Sequence, residues 1–156
     1  ALLPPPLLQR GVQCVGRLDQ DTTGLLLFSD DGQFIHRMIS PRKGVAKVYR
    51  AVCADPVTDD MLAALRSGVR LNDEPAPIAA LACEQLDDST LRLTLAEGKY
   101  HQVKRMVGAT GNRVEALHRE AVGGYALPAD LPPGSWRWLE AEDLNQLEQP
   151  WPSAMS

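Results

Sequence analysis

Apolar residues along this 156-residue chain recur with two different periods, and the points where one gives way to the other mark its elements. Val15 to Leu18 and Leu25 to Phe28 are short apolar runs of the kind that form buried strands, with six polar or turn-forming residues between them. Asp30-Asp31-Gly32 can cap a helix running to about Ser40, whose stripe is Ile35, Met38 and Ile39. Ala46 to Ala54 alternates as a strand, with Lys47, Tyr49 and Ala51 on one face and Val48, Arg50 and Val52 on the other. Thr58 to Ser67 is an amphipathic helix carrying Met61, Leu62 and Leu65, and Gly68 stops it. Val69 to Leu71, Pro77 to Leu86 and Leu91 to Ala96 read as strands, the last two joined by the turn Asp87-Asp88-Ser89-Thr90.

A helix follows from about Tyr100 to Thr110. Its stripe is Val103, Met106 and Val107, which leaves His101, Lys104 and Arg105 off the core. Arg113 to Val122 is a further strand, Trp136 to Leu139 a last short one, and Glu140 to Leu147 a last helix. Strands outnumber helices and hairpin-length links recur. The pattern predicts an α+β fold: a mixed, mainly antiparallel sheet with helices packed on it.

Length and composition fit one domain, or two small lobes sharing a sheet, with 44% hydrophobic and 23% charged residues. No apolar run reaches the roughly 18–20 residues that span a bilayer. The opening Ala1-Leu2-Leu3-Pro4-Pro5-Pro6 has no basic leader and is broken by prolines, so residues 1–12 read as an extended linker rather than a signal peptide. Residues 149–156 read as a flexible tail. Cys14, Cys53 and Cys83 form no Cys-x-x-Cys pair, as expected of reduced thiols in a cytoplasmic protein.

The net charge is −4, but its distribution is uneven. From Gly32 to Ala54 there is no acid, while Arg37, Arg42, Lys43, Lys47 and Arg50 occur. A second basic cluster holds Lys99, Lys104, Arg105, Arg113 and Arg119, with His101 and His118 beside it. The expected result is one basic face, suited to a phosphate-bearing partner, and an acidic back.

The stretch Val15-Gly16-Arg17-Leu18-Asp19-Gln20-Asp21-Thr22-Thr23-Gly24 puts two carboxylates and two hydroxyls on a connection clamped by core at both ends. Asp19, Asp21, Thr23 and Asp30 superficially match a calcium loop. Strand-like flanks, Leu27 at the ninth place and Asp instead of Glu at the twelfth count against that reading. A carboxylate capping its own turn is the plainer alternative. The glycines match neither a phosphate-binding loop nor a dinucleotide fingerprint.

Taken together the motifs resemble the pseudouridine synthases, in the branch of the ribosomal small-subunit enzyme A. The stretches carrying the resemblance are Gly16-Arg17-Leu18-Asp19-Gln20-Asp21-Thr22-Thr23-Gly24, Asp30-Asp31-Gly32, Ser40-Pro41-Arg42 and Lys47-Val48-Tyr49. Glu97-Gly98-Lys99-Tyr100-His101-Gln102-Val103-Lys104-Arg105-Met106 and Leu117-His118-Arg119-Glu120 complete it. It runs over about residues 11 to 145 and implies a catalytic domain over 13–148 that isomerises uridine to pseudouridine in ribosomal RNA, most simply 16S, with 23S as the alternative. A catalytically silent RNA-binding module is a rival of another class.

The resemblance implies Asp19 as the catalytic carboxylate and Tyr49 as the ring that stacks on the uracil. It implies Lys104 as the cation paired with Asp19, and Leu117 as a wall of the base pocket. Arg17 would fill the gap left by the flipped uridine. Thr23, His101 and Gln102 would bind substrate, and Arg42, Lys43, Arg105 and Arg119 would contact phosphates. It implies no metal, no organic cofactor, no membrane and a monomer. An S4-type RNA-binding module, present upstream in that branch, is expected to lie outside this chain.

Overall fold

The computed structural model describes residues 6, 9–40, 45–96 and 101–149. Strands β1 (Gln13–Val15) and β3 (Leu27–Ser29) pair antiparallel as a small separate sheet, and β2 (Thr22–Gly24) leaves the connection between them to join the main sheet. The connection expected to be all turn therefore contains a strand. It is parallel to β7 (Val114–Val122), with Thr22, Thr23 and Gly24 opposite Leu117, His118 and Arg119. A three-residue strand has no period to detect, which is why the sequence did not reveal it.

The main sheet runs β2-β7-β4-β6-β5, with β4 at Lys47–Cys53, β5 at Ala82–Asp87 and β6 at Thr90–Leu95. Strand β8 (Tyr125–Ala126) turns back on β7 after Gly123-Gly124. Every pairing but β2–β7 is antiparallel, so the expected α+β class with a mixed, mainly antiparallel sheet is the one observed.

Among the described residues the helices are α1 (Gly32–Ile39), α2 (Asp59–Ser67), α3 (Gln102–Ala109) and α4 (Ala141–Leu147). Asp31 caps α1 by accepting from the Gln33 and Phe34 N–H groups at 3.0 and 3.3 Å. Thr58 caps α2 by accepting from Met61 N–H at 3.1 Å, and Asp59 and Asp60 lie at that helix's positive end. Three expected strands shrink or vanish. Val69–Leu71 is reduced to a single bridge between Val69 and Ile78, β5 starts only at Ala82, and Trp136–Leu139 forms no strand.

Two apolar clusters result. Leu62, Leu65, Val103, Met106 and Val107 of α2 and α3 pack on Ala51, Leu91, Leu93, Leu95 and Leu117 of the sheet. Val15, Leu25, Leu27, Met38, Val122, Tyr125 and Leu147 form the second. Cys53 and Cys83 are buried in the first cluster, and burial pushes the Cys83 thiol up to about 11, so it stays protonated and unreactive. The functional cavity opens where the two clusters meet.

Candidate active site

Strand β1 ends at Val15, and Gly16, at φ +76°, turns the chain out of it. The expected run of strand to Leu18 is thus cut short. The next residues, Arg17 to Asp19, cross the mouth of a cavity of about 340 Å³. Thr22 N–H donates to the Asp19 carbonyl at 2.9 Å and closes the turn that presents the aspartate. Immediately afterwards β2 is locked against β7. Leu25 N–H donates to the Arg119 carbonyl at 2.8 Å, and Arg119 Nε donates back to the Leu25 carbonyl at 2.8 Å. A carboxylate on a short loop is thereby anchored by backbone bonds on both sides, the arrangement a reactive group needs.

The opposite wall comes from the sheet. Lys47 and Tyr49 of β4, Leu95 of β6, and Leu117 and Arg119 of β7 share one sheet face and line the cavity. The β4–β7 register shifts between Val48 and Tyr49, an irregularity that re-aims side chains at a site. Gln102 and Val103 at the start of α3 complete the lining. His101, which precedes α3, holds a left-handed conformation at φ 45° and ψ 39°. Its Nε2 lies 3.7 Å from Asp19 Oδ1, within ion-pair range when the ring is protonated.

Of the residues expected to act together, Asp19, Tyr49, Arg17, Leu117, Gln102 and Arg119 share the cavity. Lys104 is placed differently. Its ammonium donates to Asp21 Oδ1 at 2.6 Å, not to Asp19. His101, just before α3, and Lys104, in its first turn, thus reach one carboxylate of the loop each. The hydrogen bond from Lys104 holds the Asp21 carboxyl below its ordinary range. Because that value is depressed in the folded protein, the pair is complete at neutral pH and is lost only as pH falls through the lowered value. It also removes Asp21 from any calcium loop, whose flanks here are strands and not helices.

Thr23 is a second correction. It sits one place along β2 from the cavity wall, so its side chain points to the other sheet face, where its hydroxyl lies 2.8 Å from His118 Nδ1. Thr22 lines the cavity instead. Arg105 pairs with Asp73, and Arg119 is buried, which is no place for a contact to a surface phosphate. Arg42 and Lys43 lie outside the described residues.

Part of the expected basic face is paired with carboxylates of the fold. Arg50 and Arg92 share Glu120 on the far side of the sheet, Arg92 also reaches Glu84, and Arg37 reaches Glu148. Thr22, Lys47, Leu95 and Val103 are lining residues that the motifs did not single out. Strand parity was the available signal for Lys47, which alternation puts beside Tyr49.

The Asp21–Lys104 contact should behave as one unit in catalysis. In a double-substitution cycle, Asp21→Asn and Lys104→Met should each slow turnover, and the second should cost clearly less once the first is present. Single-turnover rates of the four proteins measure this. Strictly multiplicative losses would mean that the two side chains act separately.

Comparison with known proteins places the site in context. A family model for RNA pseudouridylate synthase matches residues 1–109. The ribosomal small subunit pseudouridine synthase A of Escherichia coli K12 is 46% identical over 133 residues, covering 85% of this chain and 58% of that protein. The proteins of the same name from Haemophilus influenzae and Yersinia pestis are 45% and 42% identical, covering 85% and 89% of this chain and 57% and 59% of theirs. The chain thus spans somewhat under three fifths of the length of these curated relatives. A crystal structure of a pseudouridylate synthase superposes with a TM-score of 0.89 at 42% identity, covering 94% of this chain and 63% of that one.

Proposed function

We infer from its membership of the RNA pseudouridylate synthase family, to which this chain belongs by sequence and by fold, that the protein converts a uridine of ribosomal RNA to pseudouridine. The small-subunit RNA is the substrate this reading favours, since the curated relatives are small-subunit enzymes by name. The observation that carries the reading is the joint presence of Asp19, Tyr49 and Leu117 around one recess large enough for a nucleobase.

The isomerisation is redox-neutral and moves one bond. The N1–C1′ bond breaks, the uracil turns over without leaving, and C5 takes the place of N1 on C1′. A carboxylate fixed beside the anomeric carbon stabilises the positive charge that develops there, or bonds to it as nucleophile. Among the described residues Asp19 is the one carboxylate lining the cavity. Tyr49 offers a flat ring against the base and a hydroxyl to receive a proton. Arg17, exposed at the mouth, is placed to cover the position that the uridine vacates when it leaves its stack. The protein would work on RNA in the cytoplasm as a monomer.

Carbodiimide mapping of ribosomal RNA from cells with and without the gene tests the assignment. One pseudouridine in the small-subunit RNA should disappear with the gene and return with it. An unchanged map would overturn the proposed activity, and a loss confined to the large-subunit RNA would move the substrate there.

A further inference from the structure

The cavity holds an imbalance of charge. Among the described residues Arg17, Lys47 and Arg119 line it, against the single carboxylate of Asp19. Arg17 is exposed at the mouth, and Lys47 donates to the Met38 carbonyl at 3.1 Å at the end of α1. Arg119 is the unusual one. Only 3% of its surface is exposed, and Nε is tied to the Leu25 carbonyl. Among the described residues no carboxylate lies within 4.0 Å of its guanidinium. A buried cation without an anion is costly, and folds retain one where a ligand completes it.

A second polar group on the same wall is also unmatched. The Thr22 hydroxyl is buried and has no hydrogen-bond partner among the described residues. Thr22 stands opposite Leu117, and Arg119 opposite Tyr49. Arg119 thus lines the same cavity as the two residues that the proposed function assigns to the base, and it is buried there, not exposed where backbone phosphates would lie.

We propose that Arg119 binds the uracil itself, taking its carbonyl oxygens, and stabilises the base as an anion while it is detached from the ribose. The assignment rests on the isomerase reading above. When the N1–C1′ bond breaks, its electron pair leaves with the base and the negative charge spreads over N1, O2 and O4. The C1′ centre is held meanwhile by Asp19, as an ester or an ion pair. After the turn, the ring supplies the electron pair of the new C5–C1′ bond, the C5 proton is lost to a base, and N1 is protonated. No oxidant or further reactant is required. A fixed guanidinium serves both halves of this sequence, lowering the barrier to cleavage and keeping the free base from escaping. Nε secured on Leu25 fixes the fork, leaving the other nitrogens for the ligand.

Arg119→Gln and Arg119→Lys test this in the protein acting on its ribosomal RNA. The glutamine variant should bind RNA with wild-type affinity and an unchanged salt slope, while its single-turnover rate falls about 10²–10³-fold. The loss should be smaller for RNA carrying 5-fluorouridine, read as glycosidic cleavage, because the fluorinated base stabilises its own anion. The lysine variant should recover part of the rate.

A salt slope reduced by about one, with the saturated rate intact, would overturn the assignment in favour of a phosphate contact. So would equal losses on both substrates that track the melting temperature across the variants, the mark of a purely structural arginine. Wild-type protein that leaves uridine unchanged would overturn the isomerase reading itself. Wild-type turnover matched by Arg119→Gln would overturn only the role of Arg119.

Discussion

Asp19→Asn should lower pseudouridine formation by about 10⁴-fold or more while leaving RNA binding largely unchanged. The substitution keeps the shape of the side chain and the turn closed by Thr22 N–H onto the Asp19 carbonyl, since that bond is made by the backbone. What disappears is the negative charge next to the anomeric carbon. Among the described residues no other carboxylate lines the cavity, and Asp21, the nearest along the chain, is engaged by Lys104, so none of these is in place to substitute for it. The change also alters the Asp19 side chain that faces His101 Nε2 at 3.7 Å, but the β2–β7 pairing that anchors the loop does not involve that charge. Quantifying pseudouridine after single turnover, beside a filter-binding isotherm for the same RNA, separates chemistry from affinity.

Gly24→Ala should have a large effect on folding. Gly24 adopts φ +115°, and a Cβ there would lie 2.1 Å from the Arg119 carbonyl oxygen and 2.6 Å from its nitrogen. Both obstacles are backbone, so no side chain can swing aside. Strain at a positive φ and the overlap each cost about 1–3 kcal/mol, a large part of the roughly 5–15 kcal/mol that holds a domain folded. The strand pair that must separate is the one that seats Asp19, so activity should fall further than stability alone explains. Gly111→Ala is the control. Its φ of +92° brings the same kind of strain, but nothing lies within 4 Å of the added carbon, so the shift in melting temperature should be much smaller. Equal shifts in the two variants would mean that the close approach at Gly24 is relieved at little cost.

The comparison of sequence and structure has a physical pattern. Helices with an uninterrupted apolar stripe, such as Met61, Leu62 and Leu65 in α2, were legible because burial imposes the period directly. The long strands β4 and β7 were legible for the same reason, at period two. The short elements were not. Thr22–Gly24 becomes a strand because it pairs with the edge of β7, and Trp136–Leu139 pairs with no strand among the described residues. Such segments are fixed by tertiary pairing and carry no local record of it.

The site divides along the same line. Motif resemblance located Asp19, Tyr49 and Leu117, which the fold brings to one cavity. It gave no means of telling Thr22 from Thr23, since that choice depends on the register of β2 against β7. Nor could it say which carboxylate Lys104 would take. Asp19 and Asp21 are two residues apart, and only the position of the first turn of α3 assigns His101 to one and Lys104 to the other. Charge counts misled most. Arg50, Arg105 and Arg37 look available for RNA in a linear reading, and each meets a carboxylate distant in sequence.

The most direct test of the account is a structure of the protein bound to a small-subunit RNA fragment containing the target uridine. The uracil should occupy the cavity between Tyr49 and Leu117, with C1′ within about 3–3.5 Å of an Asp19 oxygen. A uridine still stacked in its RNA helix, or a base seated anywhere that leaves Asp19 out of reach of the ribose, would contradict it.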